Sequence, residues 1–183
     1  MNALYDAGRK VSLEYFATVY KVLGTEFSDY FFESETGPLG KKLVLENPEI
    51  FPLSDGANVF KGEEYGLHTR VFLNKEGLPT YEAKELALAK LKEDRLGTYD
   101  LSVISTASEV NEYFKVLLKA LSFIYPELSA KTEHIGHGMV RLTTGKMSSR
   151  TGDVIPALDF IDEVAESATK KWPTADILSL TLI

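Results

Sequence analysis

Two glycines bracket a short segment that carries two cations and three hydroxyl groups, Gly145-Lys146-Met147-Ser148-Ser149-Arg150-Thr151-Gly152. Lys146 and Arg150 can neutralise phosphate oxygens, and a guanidinium does so through a planar two-point fork. Ser148, Ser149 and the backbone N–H groups of such a loop supply neutral donors at close range. The segment therefore predicts a loop that holds phosphate groups. The alternative is an ordinary turn whose two cations are solvated.

The same segment is a near match to the KMSKS signature of class I aminoacyl-tRNA synthetases, and its serine and arginine in the last two places resemble the arginyl-tRNA synthetase family. The resemblance runs from about Tyr5 to Trp172. The further segments that resemble this family, in the same order, are Gly56-Ala57, Tyr65 to Phe72, Leu78 to Glu85, Tyr113-Phe114-Lys115 and Gly138-Met139-Val140. The resemblance implies that residues 1–172 form the C-terminal half of the catalytic domain and that residues 173–183 form a tail.

The resemblance implies amino-acid activation. The carboxylate of L-arginine attacks the α-phosphorus of ATP, which carries Mg²⁺; pyrophosphate leaves, and arginine passes to tRNA(Arg). This chemistry needs positioning and charge neutralisation but no protein nucleophile. On this alignment Lys146 and Arg150 contact the departing pyrophosphate, Ser148 orients the loop, and Met147 anchors it by packing. Ser149, also placed at the ATP, stands where the wider class has a second lysine, so the compensating cation is undefined.

The residues His134-Ile135-Gly136-His137 spell the HIGH motif of the same enzyme class. We do not assign them that role, because they lie only a few residues before the signature loop. They are also followed by a run containing valine and threonine, which favours a strand over a helix start. The resemblance instead places His134 near the adenosine, with Gly138, Met139 and Val140 along the adenine.

Selection of arginine requires an anion that meets the guanidinium in a planar pairing, with an aromatic or polar neighbour. The resemblance gives this role to Tyr81 and Glu85, and a spacing of four residues places both on one face of a helix. The family more often has aspartate at the second position. The alternatives are that Glu85 is a solvated helix charge and that Tyr81 is core packing.

Two other positions bear on the same pocket. The family commonly has a glutamine that helps to bind arginine where this sequence has Val110, and valine cannot hydrogen bond to a guanidinium. Either Glu109 or Asn111 substitutes for it, or the pocket is weakened or altered. Arg70 also matches a family position, and we assign it a structural role.

Hydrophobic periodicity predicts alternating helices and strands. Between Arg9 and about Phe32 the pattern predicts one helix, or one helix and a second short one, with a break at Gly24. The other predicted elements are a turn at 37–40, strands at 42–45, 57–60 and 68–73, a helix at 79–96, a strand at 101–105, a helix at 109–121 capped by Ser108, a strand at 134–142 and a helix at 158–171. The alternation after Pro79 indicates the α/β class with a mainly parallel sheet flanked by helices. The resemblance adds that this is the second half of a Rossmann-like nucleotide-binding fold, whose ligands bind at the carboxyl ends of the strands.

Composition sets the outer limits. The chain has 183 residues, no cysteine and three histidines, so thiol catalysis is excluded and we expect no metal site. The net charge of −7 argues against a broad basic surface for nucleic acid. No apolar run approaches the length of a spanning helix, and we expect a cytoplasmic protein with no membrane partner. The HIGH-bearing half has no counterpart, so we expect a fragment that is inactive alone; the alternative is a non-catalytic nucleotide-binding half-synthetase module.

Overall fold

A computed structural model describes residues 2–139 and 155–172, which fall into two compact units. Residues 2–30 and 155–172 belong to one unit, and residues 31–139 form the other. Val140, the predicted phosphate loop at 145–152 and the tail at 173–183 lie outside the described residues. Among the helices of the described part, none has the length and apolar character needed to cross a membrane.

Within these ranges the chain forms six α-helices and five β-strands. They are α1 (Asn2–Val22), α2 (Glu33–Glu46), β1 (Leu53–Ser54), β2 (Ala57–Phe60), β3 (Arg70–Leu73), α3 (Tyr81–Leu96), β4 (Ser102–Ala107), α4 (Asn111–Ile124), α5 (Pro126–Ala130), β5 (Thr132–His137) and α6 (Ala157–Lys171). Short 3₁₀ turns follow β2 and β4. The predicted α/β class is therefore confirmed.

The first unit contains α1 and α6. The first helix ends at Val22, and Gly24, the predicted break, follows with φ of 65°, a conformation that favours glycine after a helix. No second short helix lies within residues 23–32. The helix α6 confirms the helix predicted at 158–171. Trp172 closes α6 with a hydrogen bond from its N–H to the Ala168 carbonyl, and the Lys171 Nζ lies 4.5 Å from the centre of its ring.

The helix α2 replaces two predicted features, since the turn at 37–40 and the strand at 42–45 were both wrong. The Glu35 carboxylate accepts a hydrogen bond from the Phe32 backbone N–H at 2.9 Å, which closes the helix start. Gly37 and Gly40 are buried and allow α2 to pack closely on α3. A Cβ at Gly40 would lie 2.6 Å from the carbonyl carbon of Ala83. Packing of this small-residue face outweighs the local turn preference of glycine and proline.

The strands β1, β2 and β3 form an antiparallel sheet in that order, and β4 pairs with β5 in parallel. The strand predicted at 57–60 is confirmed, whereas the one predicted at 68–73 begins at Arg70. The parallel arrangement expected for most of the sheet is thus confined, among the described strands, to β4 and β5. Because α4 and α5 connect these two strands, they form the β-α-β unit expected after Pro79.

The core of the larger unit is built from both sheets and from α2, α3 and α4. Its most completely buried large side chains are Phe51, Phe72, Phe114, Leu73, Leu86, Val44 and Val116. The predicted cap at Ser108 is wrong, because a 3₁₀ turn at Ser108–Val110 precedes α4 and no side chain caps either helix. The core nevertheless holds α4 firmly against β5, so that the start of α4 lies beside the carboxyl ends of the parallel strands.

Candidate functional site

The carboxyl end of the parallel pair carries the first group of predicted residues. His134 lies on β5 opposite Ile104, and its Nε2 is 2.7 Å from the Thr106 Oγ1 of β4. The segment that spells HIGH therefore belongs to a strand rather than to a helix start, as the sequence predicted. Thr106 holds the imidazole by one nitrogen and fixes its orientation.

The imidazole of His134 is also stacked on the phenyl ring of Phe114 from α4. The ring centres are 3.9 Å apart, and the planes differ by 7°. Burial lowers the pKa of His134, so the ring is neutral near pH 7. These two rings line an open cleft of about 280 Å³, together with Asn111, Lys115, Leu118 and Gly136. A neutral, partly apolar cleft of this kind suits a flat heteroaromatic group, with one lysine at its edge.

Gly136 allows the cleft to form. A Cβ at this position would lie 3.0 Å from the Asn111 Cγ and 3.0 Å from the Cα of Ser108. The lack of a side chain therefore allows the first residue of α4 to rest directly on β5. Of the other predicted adenine neighbours, Gly138 and Met139 follow β5 outside any regular element, and Met139 is 46% exposed.

The second group of predicted residues lies on α3. The Tyr81 hydroxyl donates a hydrogen bond to the Glu85 carboxylate, so the predicted pair does meet on one helix face. Burial and the neighbouring carboxylate raise the pKa of Tyr81 to about 12, which keeps the phenol protonated. Burial also raises the pKa of Glu85, and the hydrogen bond from Tyr81 opposes that shift. Glu85 is half-buried, so the alternative of a freely solvated helix charge is wrong.

Two further carboxylates, those of Glu33 and Glu82, lie near Tyr81, and each is paired with a cation. The Lys84 Nζ lies 2.6 Å from Glu33, and the Arg70 guanidinium lies 3.8 Å from Glu82. Glu85 makes no salt bridge within the described residues. Lys92 acts on Glu85 electrostatically, but its Nζ donates a hydrogen bond to the Ser102 Oγ at 2.7 Å. Glu85 is thus the carboxylate of this cluster that remains available to a cationic ligand.

A continuous run of ring contacts links the two groups. Tyr81 lies 5.2 Å from Tyr113, Tyr113 lies 4.9 Å from Phe114, and Phe114 stacks on His134. Tyr113 and Phe114 are neighbours on α4, so this one helix contacts both groups of predicted residues. The family resemblance includes Tyr113-Phe114, but it assigns the pair no role. The signal that could have identified them is two adjacent aromatic residues in the first turn of the helix that follows β4.

A larger cleft of about 380 Å³ lies elsewhere on the same unit, between Ile50, Phe60, Tyr65 and Phe123. It contains none of the predicted site residues, and it is formed at the C-terminal end of α4. Ligands of parallel α/β units bind at the carboxyl edge of the strands, which is where the His134 cleft lies. The smaller cleft is therefore the better candidate despite its size.

The fold and these residues together define an α/β protein with a candidate ligand site at the carboxyl edge of its parallel strands. A family model described as tRNA synthetases class I (R), catalytic domain, matches residues 41–176. The chain belongs to this family.

The curated relatives of this chain are arginine–tRNA ligases. An arginine–tRNA ligase of Flavobacterium psychrophilum is 30% identical over 158 residues, which are 85% of this chain and 26% of that protein. The ligase of Clostridium acetobutylicum is 28% identical over 171 residues, or 91% of this chain and 30% of the relative. The chain thus spans between a quarter and a third of the length of these relatives.

Solved structures share the fold. The arginyl-tRNA synthetase of Plasmodium falciparum superposes with a TM-score of 0.72 at 16% identity, covering 98% of this chain and 31% of that one. A putative arginyl-tRNA synthetase of Campylobacter jejuni gives a TM-score of 0.69 at 19% identity, covering 88% and 36%. The fold is therefore that of part of a synthetase.

Proposed function

We propose that this chain supplies part of the active site of an arginine–tRNA ligase, with a Rossmann-like second half over residues 1–172 and a tail at 173–183. Its substrates are arginine, ATP with its Mg²⁺, and tRNA(Arg). Family membership and the names of the relatives support the reaction class. The single observation that carries the choice of arginine is the half-buried Glu85, which is hydrogen bonded to Tyr81 and has no ion-pair partner within the described residues. Because a tRNA ligase acts where translation takes place, we propose the cytoplasm as its compartment.

In this proposal the guanidinium of arginine lies against Glu85 and Tyr81, because a carboxylate accepts two parallel N–H donors in one plane. The adenine enters the cleft beside His134, with the backbone of Gly138, Met139 and Val140 along its edge. The arginine carboxylate then attacks the α-phosphorus, and the bond to pyrophosphate breaks. Lys146 and Arg150 offset the charge that develops on the pyrophosphate, while Met147, Ser148 and Ser149 complete the loop.

A second candidate is a nucleotide-binding module without ligase activity. The observation that favours it is Val110, whose apolar side chain packs against the core at the start of α4, where the family commonly has a glutamine. Such a module would bind ATP but not arginine. Calorimetric titration with ATP and with arginine, separately and together, distinguishes the two candidates. The ligase proposal fails if the folded chain binds ATP and shows no binding of arginine.

Substitution of Lys146 tests the predicted phosphate loop. We expect Lys146→Ala to weaken ATP binding about tenfold or more, because a charge-assisted contact to phosphate is lost. Titration with ATP measures the effect, and Lys75→Ala, which removes an exposed lysine from another loop, serves as the matched control. Equal affinities of the two variants for ATP would contradict the role given to Lys146.

Arginine binding should depend on pH through Glu85. Its pKa is raised, so lowering the pH through that raised value removes the charge that attracts the guanidinium, which itself stays charged. We therefore expect arginine affinity to fall over the range of pH that runs from neutral down through that raised pKa. Protonation of Glu85 has the opposite effect on the stability of the ligand-free protein, because the folded state binds the proton more tightly than the unfolded state does. The contribution of Glu85 to stability is therefore lost as the pH rises through its folded pKa. Titrations of the wild type and Glu85→Gln across this range check the first expectation, and a pH-independent wild type would contradict it.

A further inference from the structure

Tyr113 is buried at 5% exposure, and its hydroxyl has no hydrogen-bond partner among the described residues. A buried hydroxyl without a partner loses its hydrogen bonds to water and gains none in return. Most buried polar side chains in folded proteins avoid this cost. A phenylalanine would fill the same space in the core without it, so the hydroxyl calls for a separate explanation.

The surroundings of this hydroxyl are those of the proposed arginine site. The ring of Tyr113 lies 5.2 Å from that of Tyr81, and its phenolic oxygen experiences the charges of Glu85 and Glu82. Burial and these carboxylates raise the pKa of Tyr113, so the phenol stays neutral and can both accept and donate a hydrogen bond. The ring of Tyr113 thus lies on the α4 side of Tyr81, within the field of Glu85 and Glu82.

Arg70 limits what can bind there. Its guanidinium carbon lies 5.8 Å from the centre of the Tyr113 ring, and the group is paired with Glu82. The charge of Glu82 is thereby offset within the protein, which leaves Glu85 as the anion for a ligand. A ligand guanidinium has five N–H donors, and one carboxylate takes two of them. The remaining donors need an acceptor on another side of the site.

We propose that the Tyr113 hydroxyl is a specificity-determining acceptor for the ligand guanidinium, receiving an N–H that faces away from Glu85. This inference rests on the proposed function, in which Tyr81 and Glu85 bind arginine. It explains why a hydroxyl is kept in the core without a partner: its partner arrives with the ligand. A compact ammonium group, as in ornithine, has fewer donors and cannot bridge Glu85 and Tyr113 in the same way.

The test is Tyr113→Phe, with Tyr99→Phe as the matched control. Tyr99 carries the other buried tyrosine hydroxyl without a partner among the described residues. Its ring lies 5.7 Å from the Lys131 Nζ, and the nearby charges that act on it are those of Glu93 and Lys90 rather than of Glu85 and Glu82. We expect both variants to raise the melting temperature by about 2–4 °C, because each removes an unsatisfied hydroxyl. Only Tyr113→Phe should weaken arginine binding, by about tenfold or more, and it should reduce ornithine binding less.

The outcomes separate this inference from the proposed function. If the wild type binds arginine and Tyr113→Phe binds it equally well, the role of Tyr113 is wrong and the proposed function stands. If the folded wild type does not bind arginine, both are wrong. A lower melting temperature for Tyr113→Phe would show that the hydroxyl already has a partner in the free protein, and would also overturn the inference. Calorimetry and thermal melts followed by circular dichroism supply all of these measurements.

Discussion

Replacing Gly40 with alanine is expected to lower the free energy of unfolding of the larger unit by about 3 kcal/mol. The added methyl group would lie 2.6 Å from the carbonyl carbon of Ala83 and 3.1 Å from the backbone nitrogen of Lys84. Both atoms belong to the backbone of α3, which cannot rotate away as a side chain could. Relief of the overlap would require α2 and α3 to move apart and open the core that they share.

The matched control for this variant is Gly37→Ala on the same helix. Gly37 is also buried, but its nearest neighbour for a new Cβ is the Pro79 Cγ at 3.8 Å, an ordinary van der Waals distance. Since alanine favours a helix over glycine, this variant should be neutral or gain up to about 1 kcal/mol. Urea unfolding with an unchanged slope measures both changes. A Gly40→Ala protein as stable as Gly37→Ala would disprove the tight contact between the two helices.

Glu85→Gln is expected to weaken arginine binding by at least about 2 kcal/mol, roughly thirtyfold. The amide keeps the size of the side chain and can still accept a hydrogen bond from Tyr81, but it loses the charge that faces the guanidinium. In the free protein the cost should be small, because Glu85 has no ion-pair partner to leave behind within the described residues. Arginine titration of the variant, with circular dichroism to confirm its fold, measures the effect.

The control for that prediction is Glu93→Gln, two turns further along α3. Glu93 contacts Lys90 near the end of the helix and does not contact the Tyr81 cluster. The substitution Glu93→Gln removes the same unit of charge from the same helix, but away from the proposed arginine site. It should therefore leave arginine affinity within about twofold of the wild type. Equal losses in the two variants would mean that the whole negative surface, rather than the position of Glu85, attracts the ligand.

Part of the fold could be predicted from the sequence because local pattern and tertiary packing agree there. The apolar stripe of α4 and the β-branched run of β4 gave the correct element types. In α2 they disagree: Gly37, Pro38 and Gly40 favour a turn locally, but the small-residue face gains more by packing on α3. No local pattern records that gain, and none records that β1, β2 and β3 run antiparallel.

The candidate site also combines features that local sequence predicts with features that only tertiary packing sets. The four-residue spacing of Tyr81 and Glu85 could be predicted because helical geometry alone brings such residues together. The pairing of Lys84 with Glu33 could not, because these residues are 51 positions apart and meet only through the contact between α2 and α3. This pairing helps to leave Glu85 as the available anion, so the charge of the site is set by tertiary structure. The orphan hydroxyl of Tyr113 is likewise a property of burial, which no spacing reveals.

The position of Trp172 gives one of the two units its own optical reporter. It is the only tryptophan of the sequence, and it stands at the end of α6, half exposed beside Lys171. Excitation that selects the indole therefore follows the unit formed by α1 and α6, whereas far-ultraviolet circular dichroism follows the helices and strands of both units. Coincidence of the two unfolding curves would mean that the units melt as one cooperative body, and separation would mean that each has its own transition.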